Sequence, residues 1–446
     1  MAKNAIQLSN HFTYKHLLRF TFPSVIMLVF TSVYGIVDGF FVSNFVGKTP
    51  FAALNFIMPV LMMLGCVGFM FGTGGGALIA KTMGEGNPKK ANETFSLLVY
   101  VSAACGVLLA AIGILFLRPI AVLMGAEGQL LADCLLYGRI ILIALPFYIL
   151  QYEFQCLFAT AEKPKLGLSV TVAAGVTNML LDALFVAVFH WGLAGAAAAT
   201  ALSQFVGGVV PLIYFGRKNE NLLRLVKCKW DGKSLLKTCT NGISELMSNI
   251  SMSLVSMLYN VQLMKYIGEN GIAAYGVLMY VSLMFQAVFI GYAVGAAPIV
   301  SFHYGAQNRN ELKSLLRKSA ALLSCFAVLM CLAGETLNRP LSVIFVGYDA
   351  QLLEITAHAF TIFSVSFLCS GFVIFGSSFF TALGNGFVSA AISFLRTMVF
   401  QIAAVLIFPL FWGLDGIWWS IVAAEAVAFT VTLLFLGGNR KKYGYI

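Results

Sequence analysis

Long apolar segments separated by short polar connections run along the whole chain. Twelve such segments can be delimited, and each is long enough to cross a bilayer as a helix, which takes about 20 residues. They lie at residues 17–45, 51–80, 94–117, 130–160, 165–189, 192–215, 238–267, 272–303, 314–337, 351–383, 387–410 and 413–437. The pattern predicts an all-α membrane protein with twelve transmembrane helices.

The composition agrees with this prediction. The 446 residues are 60% hydrophobic and only 10% charged, which excludes an ordinary soluble domain. The first apolar segment is too long for the core of a signal peptide and lacks a small-residue cleavage site. We therefore expect it to remain in the mature protein as the first span.

Basic residues are distributed unevenly between the two predicted sides of the membrane. If the N-terminus is cytoplasmic, 22 of the 28 lysines and arginines, Lys3 and Lys218 among them, fall in the termini and the even-numbered connections. Five fall in the odd-numbered connections. This positive-inside pattern predicts that both termini are cytoplasmic. The net charge of +10 then faces anionic lipid, so we expect the bilayer, and no nucleic acid, as a partner.

The second half of the chain repeats the first at an offset of 221 residues. Residues 191–195 (WGLAG) align with residues 412–416 (WGLDG), and residues 118–119 (RP) align with residues 339–340 (RP). Each half holds six predicted spans, an even number, so both halves start and end on the same side. The halves are therefore predicted to be parallel repeats related by a pseudo-twofold axis along the membrane normal.

The repeat predicts three regions. We expect an N-terminal six-helix lobe at residues 1–220, a basic cytoplasmic linker at residues 221–234, and a C-terminal six-helix lobe with a short basic tail at residues 235–446. Two lobes about such an axis leave a central cleft, and rocking one lobe against the other alternates access to it. This geometry favours a transporter. Pro23 removes a backbone hydrogen bond low in the first span, which predicts a hinge or kink there.

Four polar residues of the first lobe are predicted to meet inside the membrane. Asp38 lies about 9 residues before Gly47, where the first apolar segment ends, so it lies roughly 13 Å deep at ~1.5 Å per residue. The same arithmetic puts Asp182 and Thr200 roughly 12 Å below the outer surface. Asn178 lies one helical turn from Asp182 on the same face.

This set of side chains suits a cation. An acid inside the membrane is a functional-site hypothesis by default, although joining neighbouring helices is the alternative role for each group. Two carboxylates, an amide and a hydroxyl supply hard oxygen ligands, and two neighbouring carboxylates can hold a proton between them. The corresponding positions of the second half are Tyr259, Val399, Ala403 and Ile421. The site is therefore predicted in the N-terminal lobe alone.

Other charged residues within the spans are weaker candidates. Glu245, near the inner end of the seventh span, and Glu425, near the middle of the twelfth, are candidates for a second polar site in the C-terminal lobe. Glu153 is expected to reach the lipid headgroups from the inner half of the fourth span. Arg396 is expected to pair with an acid or to extend to the membrane surface.

The sequence resembles the multidrug and toxic compound extrusion (MATE) family over essentially its whole length. The resemblance rests on twelve spans, the duplication and a set of short motifs. These motifs are Val37-Asp38 followed by Gly47, residues 84–87 (GEGN), residues 178–182 (NMLLD), residues 191–195 (WGLAG) and Ala199-Thr200. Within the family the chain is most similar to bacterial exporters of cationic dyes, biocides and fluoroquinolones.

The resemblance implies a secondary active antiporter in the cytoplasmic (inner) membrane that exports hydrophobic, often cationic small molecules. Its coupling-cation site would comprise Asp38, Asn178, Asp182 and Thr200, with Tyr137 of the fourth span as a further family position. Glu245 matches one member of a C-lobe acid pair that some members use for sodium, but the tenth span carries no acid beyond Glu354 in its first turn. We therefore expect proton coupling, with sodium at the same N-lobe residues as the alternative, no cofactor or other metal, and a monomer.

Two other functions compete with this interpretation. A lipid-linked oligosaccharide flippase of the same superfamily would need a cationic cavity for pyrophosphate, whereas the acids of the spans outnumber Arg396 and favour a cationic cargo. A membrane-embedded enzyme would need a paired catalytic motif at depth. The spans contain no HExxH motif and no serine–histidine pair at depth, so the sequence predicts that the protein is not an enzyme.

Overall fold

The computed structural model describes residues 6–217, 222–347 and 349–445, and every regular element in these ranges is helical. Two lysines of the predicted cytoplasmic group, Lys3 and Lys218, lie outside the described residues. The predicted boundary between lobe and linker at residues 220 and 221 also lies outside them, so the division into three regions stays a prediction.

Thirteen α-helices and three short π-helical segments make up the described chain. The α-helices are α1 (Tyr14–Phe41), α2 (Lys48–Gly84), α3 (Pro88–Leu123), α4 (Gly128–Thr160), α5 (Pro164–Asp182), α6 (Gly192–Gly216), α7 (Gly232–Ile267), α8 (Glu269–Gly305), α9 (Arg309–Val346), α10 (Ala350–Ser364), α11 (Phe367–Ala382), α12 (Gly386–Phe394) and α13 (Gln401–Tyr443). The π-helical segments are Val42–Val46, Ala183–Val188 and Leu395–Phe400.

These helices form the twelve predicted spans. Among the described residues, nine continuous helical stretches are long and apolar enough to cross a membrane, and the bent pair α10 and α11 forms one more. The stretch Gly386–Tyr443 counts as two spans because its helix breaks at Gly413, where φ is +56°. The twelfth is α7, whose 36 residues reach about 54 Å but which is not one of the nine stretches that are apolar enough on their own.

The internal repeat is visible in the local structure of the connections. Asn87 accepts a hydrogen bond from the Lys90 N–H at 3.1 Å and caps α3, and its repeat mate Asn308 caps α9 through the Glu311 N–H at 3.1 Å. Such caps satisfy amide donors that have no partner inside the helix. Equivalent asparagines therefore cap equivalent helices in the two halves of the chain.

The two lobes meet on the face that carries the termini, across a nearly symmetric contact. A Cβ built on Gly84 at the end of α2 would lie 2.0 Å from the carbonyl oxygen of Phe302 in α8. A Cβ on Gly305, the repeat mate of Gly84, would lie 2.1 Å from the carbonyl oxygen of Lys81, the repeat mate of Phe302. This exchange of equivalent partners is what a pseudo-twofold axis along the membrane normal produces.

Further into the membrane, helices of the two lobes pack closely against each other at glycine residues. A Cβ on Gly74 of α2 would lie 2.3 Å from the Thr238 carbonyl oxygen of α7, and one on Gly291 of α8 would lie 2.5 Å from the Val25 Cα of α1. Small residues allow such close backbone approach between membrane helices. Pro23 lies within α1, two residues from the Val25 crossing, and its role as a hinge stays a prediction.

The segment before α1 joins the two lobes on the same face. The Leu8 N–H donates to Glu162 Oε1 at 2.6 Å in the N-terminal lobe, and the Phe12 N–H donates to Glu311 Oε1 at 2.9 Å in the C-terminal lobe. Leu8 and Phe12 are both fully buried. The described part of the N-terminus therefore lies across the closed ends of the lobes.

Candidate functional site

The polar cluster of the N-terminal lobe is assembled from α1, α5 and α6. The Thr200 hydroxyl of α6 donates to Asp38 Oδ1 of α1 at 3.4 Å, and Asn178 Nδ2 of α5 donates to Thr200 Oγ1 at 3.4 Å. Both contacts are at the long limit for hydrogen bonds. The structure thus brings together residues from three helices that are up to 162 positions apart in the chain.

Asp182 completes this cluster. Its side chain is fully buried and lies beside the carboxyl group of Asp38. Within the described residues, neither carboxyl oxygen of Asp182 has a hydrogen-bond partner, and neither does Asn178 Oδ1. Buried polar atoms without partners are rare in native proteins and call for an explanation such as an ion.

Tyr137 of α4 lies at the same cluster. Its side chain is fully buried, its hydroxyl lies beside Thr200, and the ring is close to both Asp38 and Asp182. In the part of the chain that the structure describes, the hydroxyl makes no hydrogen bond. Within the described ranges, four buried oxygens without partners are thus concentrated in one place, two from Asp182 and one each from Asn178 and Tyr137.

The helical backbone changes character next to both aspartates. The π-helical segment Val42–Val46 begins four residues after Asp38, and the Val42 N–H bonds to the Asp38 carbonyl oxygen. The segment Ala183–Val188 begins directly after Asp182. π-Helical turns inside α-helices occur frequently at functional sites. Neither segment is recognisable from apolar periodicity alone.

One neighbour of the cluster was missed by the sequence analysis. Tyr34 lies one turn before Asp38 on α1 and close to the Asp38 carboxyl group. The spacing of four residues between Tyr34 and Asp38 puts both on one helical face. That spacing is the signal that could have identified Tyr34.

The equivalent position in the C-terminal lobe has a different character. Tyr259, the repeat mate of Asp38, is fully buried, and its hydroxyl hydrogen-bonds Ser420 Oγ at 2.6 Å. Its ring stacks on Tyr275 with 5.1 Å between centroids. This neutral, satisfied pair joins helices, whereas the N-lobe cluster leaves acidic oxygens without partners.

The two acids proposed for a second site lie in different surroundings. Glu245 of α7 lines a small cavity of about 20 Å³ between the lobes, together with Thr160 of α4 and Pro298 of α8. Glu425 is buried and accepts a hydrogen bond from Arg396 Nε at 2.8 Å. The expectation that Arg396 pairs with an acid is confirmed, and a joint site of Glu245 and Glu425 stays a prediction.

Glu153 corrects the sequence analysis. It was expected to reach the lipid headgroups, but its side chain is fully buried between α3 and α4. The Ser102 hydroxyl of α3 donates to Glu153 Oε2, and Oε1 has no partner within the described residues. The expectation failed because depth along a helix does not determine which face of it meets a neighbour. The buried Asp133 of α4 was overlooked for the same reason.

The chain is similar to known membrane transporters along nearly its whole length. The sequence model of the MatE family matches residues 23–184 and 246–407, one copy in each half of the chain. The Multidrug export protein MepA of Staphylococcus haemolyticus (strain JCSC1435) is 23% identical over 434 residues, which cover 96% of this chain and 94% of that protein. The matched ranges fall on the two repeats.

Solved structures show the same fold. An outward-facing conformation of a multidrug resistance MATE family transporter of the MOP superfamily superposes with a TM-score of 0.93 at 20% identity over 100% of both chains. A MOP superfamily transporter from Pyrococcus furiosus, described by reverse polarity of its binding pocket, superposes with a TM-score of 0.92 at 21% identity. It covers 100% of this chain and 99% of its own. With a family match on both repeats, the chain belongs to the MatE family of membrane transporters and is not an enzyme.

Proposed function

We propose that the protein exports hydrophobic, often cationic small molecules in exchange for protons, by alternating the access of a cleft between its two lobes. The export of drugs is supported by the MepA relatives, which are named multidrug export proteins. Antiport is supported by the acid pair Asp38 and Asp182, which is buried in one lobe and absent from the equivalent positions of the other.

The observation that carries the coupling proposal is the concentration of buried oxygens without partners around Asp182. Two carboxyl groups that face each other at close range favour a state in which they share one proton. Proton uptake from the outside removes one negative charge from the pair and changes its contacts with Thr200 and Asn178. Because these residues belong to α1, α5 and α6, a change of charge there can alter how the helices of the lobe pack.

Sodium is the alternative coupling ion at the same residues. The oxygens of Asp38, Asp182, Asn178 and Thr200 are the hard donor type that such cations prefer. The proton is favoured because two carboxyl groups at close range readily hold one proton between them.

The side chains where the lobes meet favour a cationic cargo over a pyrophosphate-linked lipid, although the closed cavity between them, at about 20 Å³, has room for a single water only. Among the described residues that line it, Glu245 is the acid, and no lysine or arginine is present. An anionic headgroup would be repelled by this carboxylate when it is ionised. The flippase function is therefore the second candidate, and a cavity lined by basic residues would have favoured it.

The test is transport in proteoliposomes that contain the purified protein and a cationic fluorescent dye. Asp38→Asn and Asp182→Asn keep the shape of each side chain but remove its titratable charge. We expect each variant to abolish dye transport driven by a pH gradient while its thermal stability stays near wild type. Asp133→Asn is the matched control, a buried aspartate of the same lobe that accepts a hydrogen bond from Gln129 Nε2 at 2.9 Å, and we expect it to transport normally.

The same vesicles distinguish the coupling ions. Transport by the wild type that follows a pH gradient at constant sodium supports proton coupling. Transport that follows a sodium gradient at constant pH would show that sodium, and not the proton, is the coupling ion. Wild-type rates in both cluster variants would show that Asp38 and Asp182 are structural and that coupling resides elsewhere.

A further inference from the structure

A second polar cavity lies on the face that carries the termini, far from the acid cluster. Its volume is about 390 Å³, and it is bordered by the start of α3 and the segment that leads into α7. Three lysines line it, Lys89 and Lys90 from α3 and Lys229 from the connecting segment. Within the part of the chain that the structure describes, none of the three forms an ion pair.

The wall of this cavity is fixed by side-chain hydrogen bonds. Asn92 Oδ1 accepts from the Arg224 N–H at 2.7 Å, and Asn92 Nδ2 donates to the Leu222 carbonyl oxygen at 3.3 Å. One turn further along α3, Ser96 Oγ accepts from the Val226 N–H at 2.8 Å. The connecting segment is thus attached to the first turns of α3, which holds Lys229 opposite the two lysines of the helix.

A threonine side chain also faces the cavity. Thr94 lines it, and the residue is only 4% exposed. Its hydroxyl can both donate and accept a hydrogen bond. Beside three lysines, this hydroxyl is a donor available to a bound anion.

The charge of the lining suits an anion with a single negative charge. Asp231 and Glu93 are the acids of the cavity, so three lysines leave a net charge of +1. Hydrogen bonds from Ser234 and the Lys233 N–H, together with the charge of Lys90, lower the pKa of Asp231. Asp231 is thus ionised, and it accepts hydrogen bonds from Lys233 and Ser234 at the start of α7. A phosphodiester carries one negative charge, whereas free phosphate near neutral pH carries up to two.

Two exposed apolar side chains lie near the cavity lining in the chain. Trp230, next to Lys229, is 76% exposed, and Leu236 in the first turns of α7 is 66% exposed. Tryptophan is enriched at the membrane–water interface because its ring is amphipathic. Basic residues followed by exposed apolar side chains match the order of headgroup and acyl chains in a phospholipid.

We propose that this cavity is a binding site for the phosphodiester headgroup of an anionic phospholipid, held by Lys89, Lys90, Lys229 and the Thr94 hydroxyl. The lipid would rest against the segment that joins the two lobes, with its acyl chains beside Trp230 and Leu236. The proposal does not depend on the transported cargo or on the coupling ion.

The test is native mass spectrometry of the purified full-length protein with phosphatidylglycerol or with phosphatidylcholine. We expect the wild type to retain phosphatidylglycerol selectively. The variant Lys89→Gln/Lys90→Gln/Lys229→Gln should bind it at least about tenfold more weakly, because each basic residue near a membrane surface contributes on the order of 1 kcal/mol. Thr94→Val, which keeps the shape of the side chain, should weaken phosphatidylglycerol binding a few-fold and leave phosphatidylcholine unaffected.

The matched control is Lys227→Gln/Lys233→Gln/Lys237→Gln, which removes the same charge from the same region but leaves the cavity lining intact. It should retain phosphatidylglycerol. Equal loss in both triple variants, or no loss in the cavity variants, overturns the site in favour of diffuse attraction to anionic lipid. Protection from thermal unfolding by inorganic phosphate alone, with none from phosphatidylglycerol, overturns the assignment to a lipid. A melting temperature near wild type without lipid shows that each variant is folded.

Discussion

At the scale of single residues, the N-lobe cluster is distinguished by polar atoms that the fold leaves without partners. A buried polar group without a hydrogen bond costs about 1–3 kcal/mol, and the cluster holds such atoms on Asp182, Asn178 and Tyr137. Tyr259, the repeat mate of Asp38 in the other lobe, hydrogen-bonds Ser420. The N-terminal lobe instead keeps buried polar oxygens without partners among the described residues, and this contrast indicates a site that can hold a cation.

Tyr137→Phe tests this interpretation because it removes one oxygen and little else. We expect thermal stability in detergent to stay at the wild-type level or to rise slightly, since the hydroxyl makes no hydrogen bond within the described residues and its burial is unfavourable. We expect gradient-driven transport to fall severalfold if the hydroxyl contacts the coupling ion. A variant that loses stability but transports normally would assign Tyr137 a purely structural role.

At the scale of elements, the crossings between lobes depend on glycine. The ends of α2 and α8 touch through Gly84 and Gly305, and the facing atoms are rigid backbone oxygens of Phe302 and Lys81. A flexible side chain could move aside for an added methyl group, but a backbone carbonyl inside a helix cannot do so without shifting the helix. The close contact of the two lobes on this face therefore requires glycine at both positions, because any side chain there would collide with a backbone carbonyl.

Gly84→Ala and Gly305→Ala should each disfavour the closed arrangement, because overpacking costs about 1–3 kcal/mol. We expect spin labels on the two lobes at this face to show longer distances, and we expect transport to fall while the protein still folds. Gly276→Ala is the matched control on α8, because a Cβ there meets no atom within 4 Å. Unchanged distances and transport in both test variants would contradict a role for this contact in closure.

At the scale of the whole molecule, three features lie on the face that carries the termini. They are the contact between the two lobes, the segment before α1 and the lysine-lined cavity. The segment before α1 contacts Glu162 of one lobe and Glu311 of the other, and the connection between the lobes borders the cavity. The uneven distribution of basic residues predicts that this face is cytoplasmic. Anionic lipid is available there for the cavity proposed above.

This orientation can be measured by cysteine labelling in a variant without the nine native cysteines. We expect Lys227→Cys, in the connection between the lobes, to react with a membrane-impermeant reagent only from the cytoplasmic side. Glu127→Cys, in the connection between α3 and α4, should react only from the outside. Reversed labelling of the two positions would invert the topology, and labelling of both from one side would contradict an odd number of spans between them.

The sequence by itself determined the twelve spans, the duplication and the family, because each of these depends on local information. A bilayer requires about 20 apolar residues per span, and repeats such as residues 191–195 and 412–416 are visible in the letters. Depth counted along each helix also identified Asp38, Asn178, Asp182 and Thr200 as neighbours, because a straight helix converts residue number directly into height.

Only the tertiary structure decided how the helices face one another. Height along a helix does not determine rotation about its axis, so the burial of Glu153 against Ser102 could not be predicted. The choice of Glu425 as partner of Arg396 likewise needed the packing of α13. The π-helical turns after Asp38 and Asp182 and the cavity between α3 and Lys229 have the same origin. They arise from contacts between segments distant in the chain, and such contacts are set by packing rather than by the pattern along any one helix.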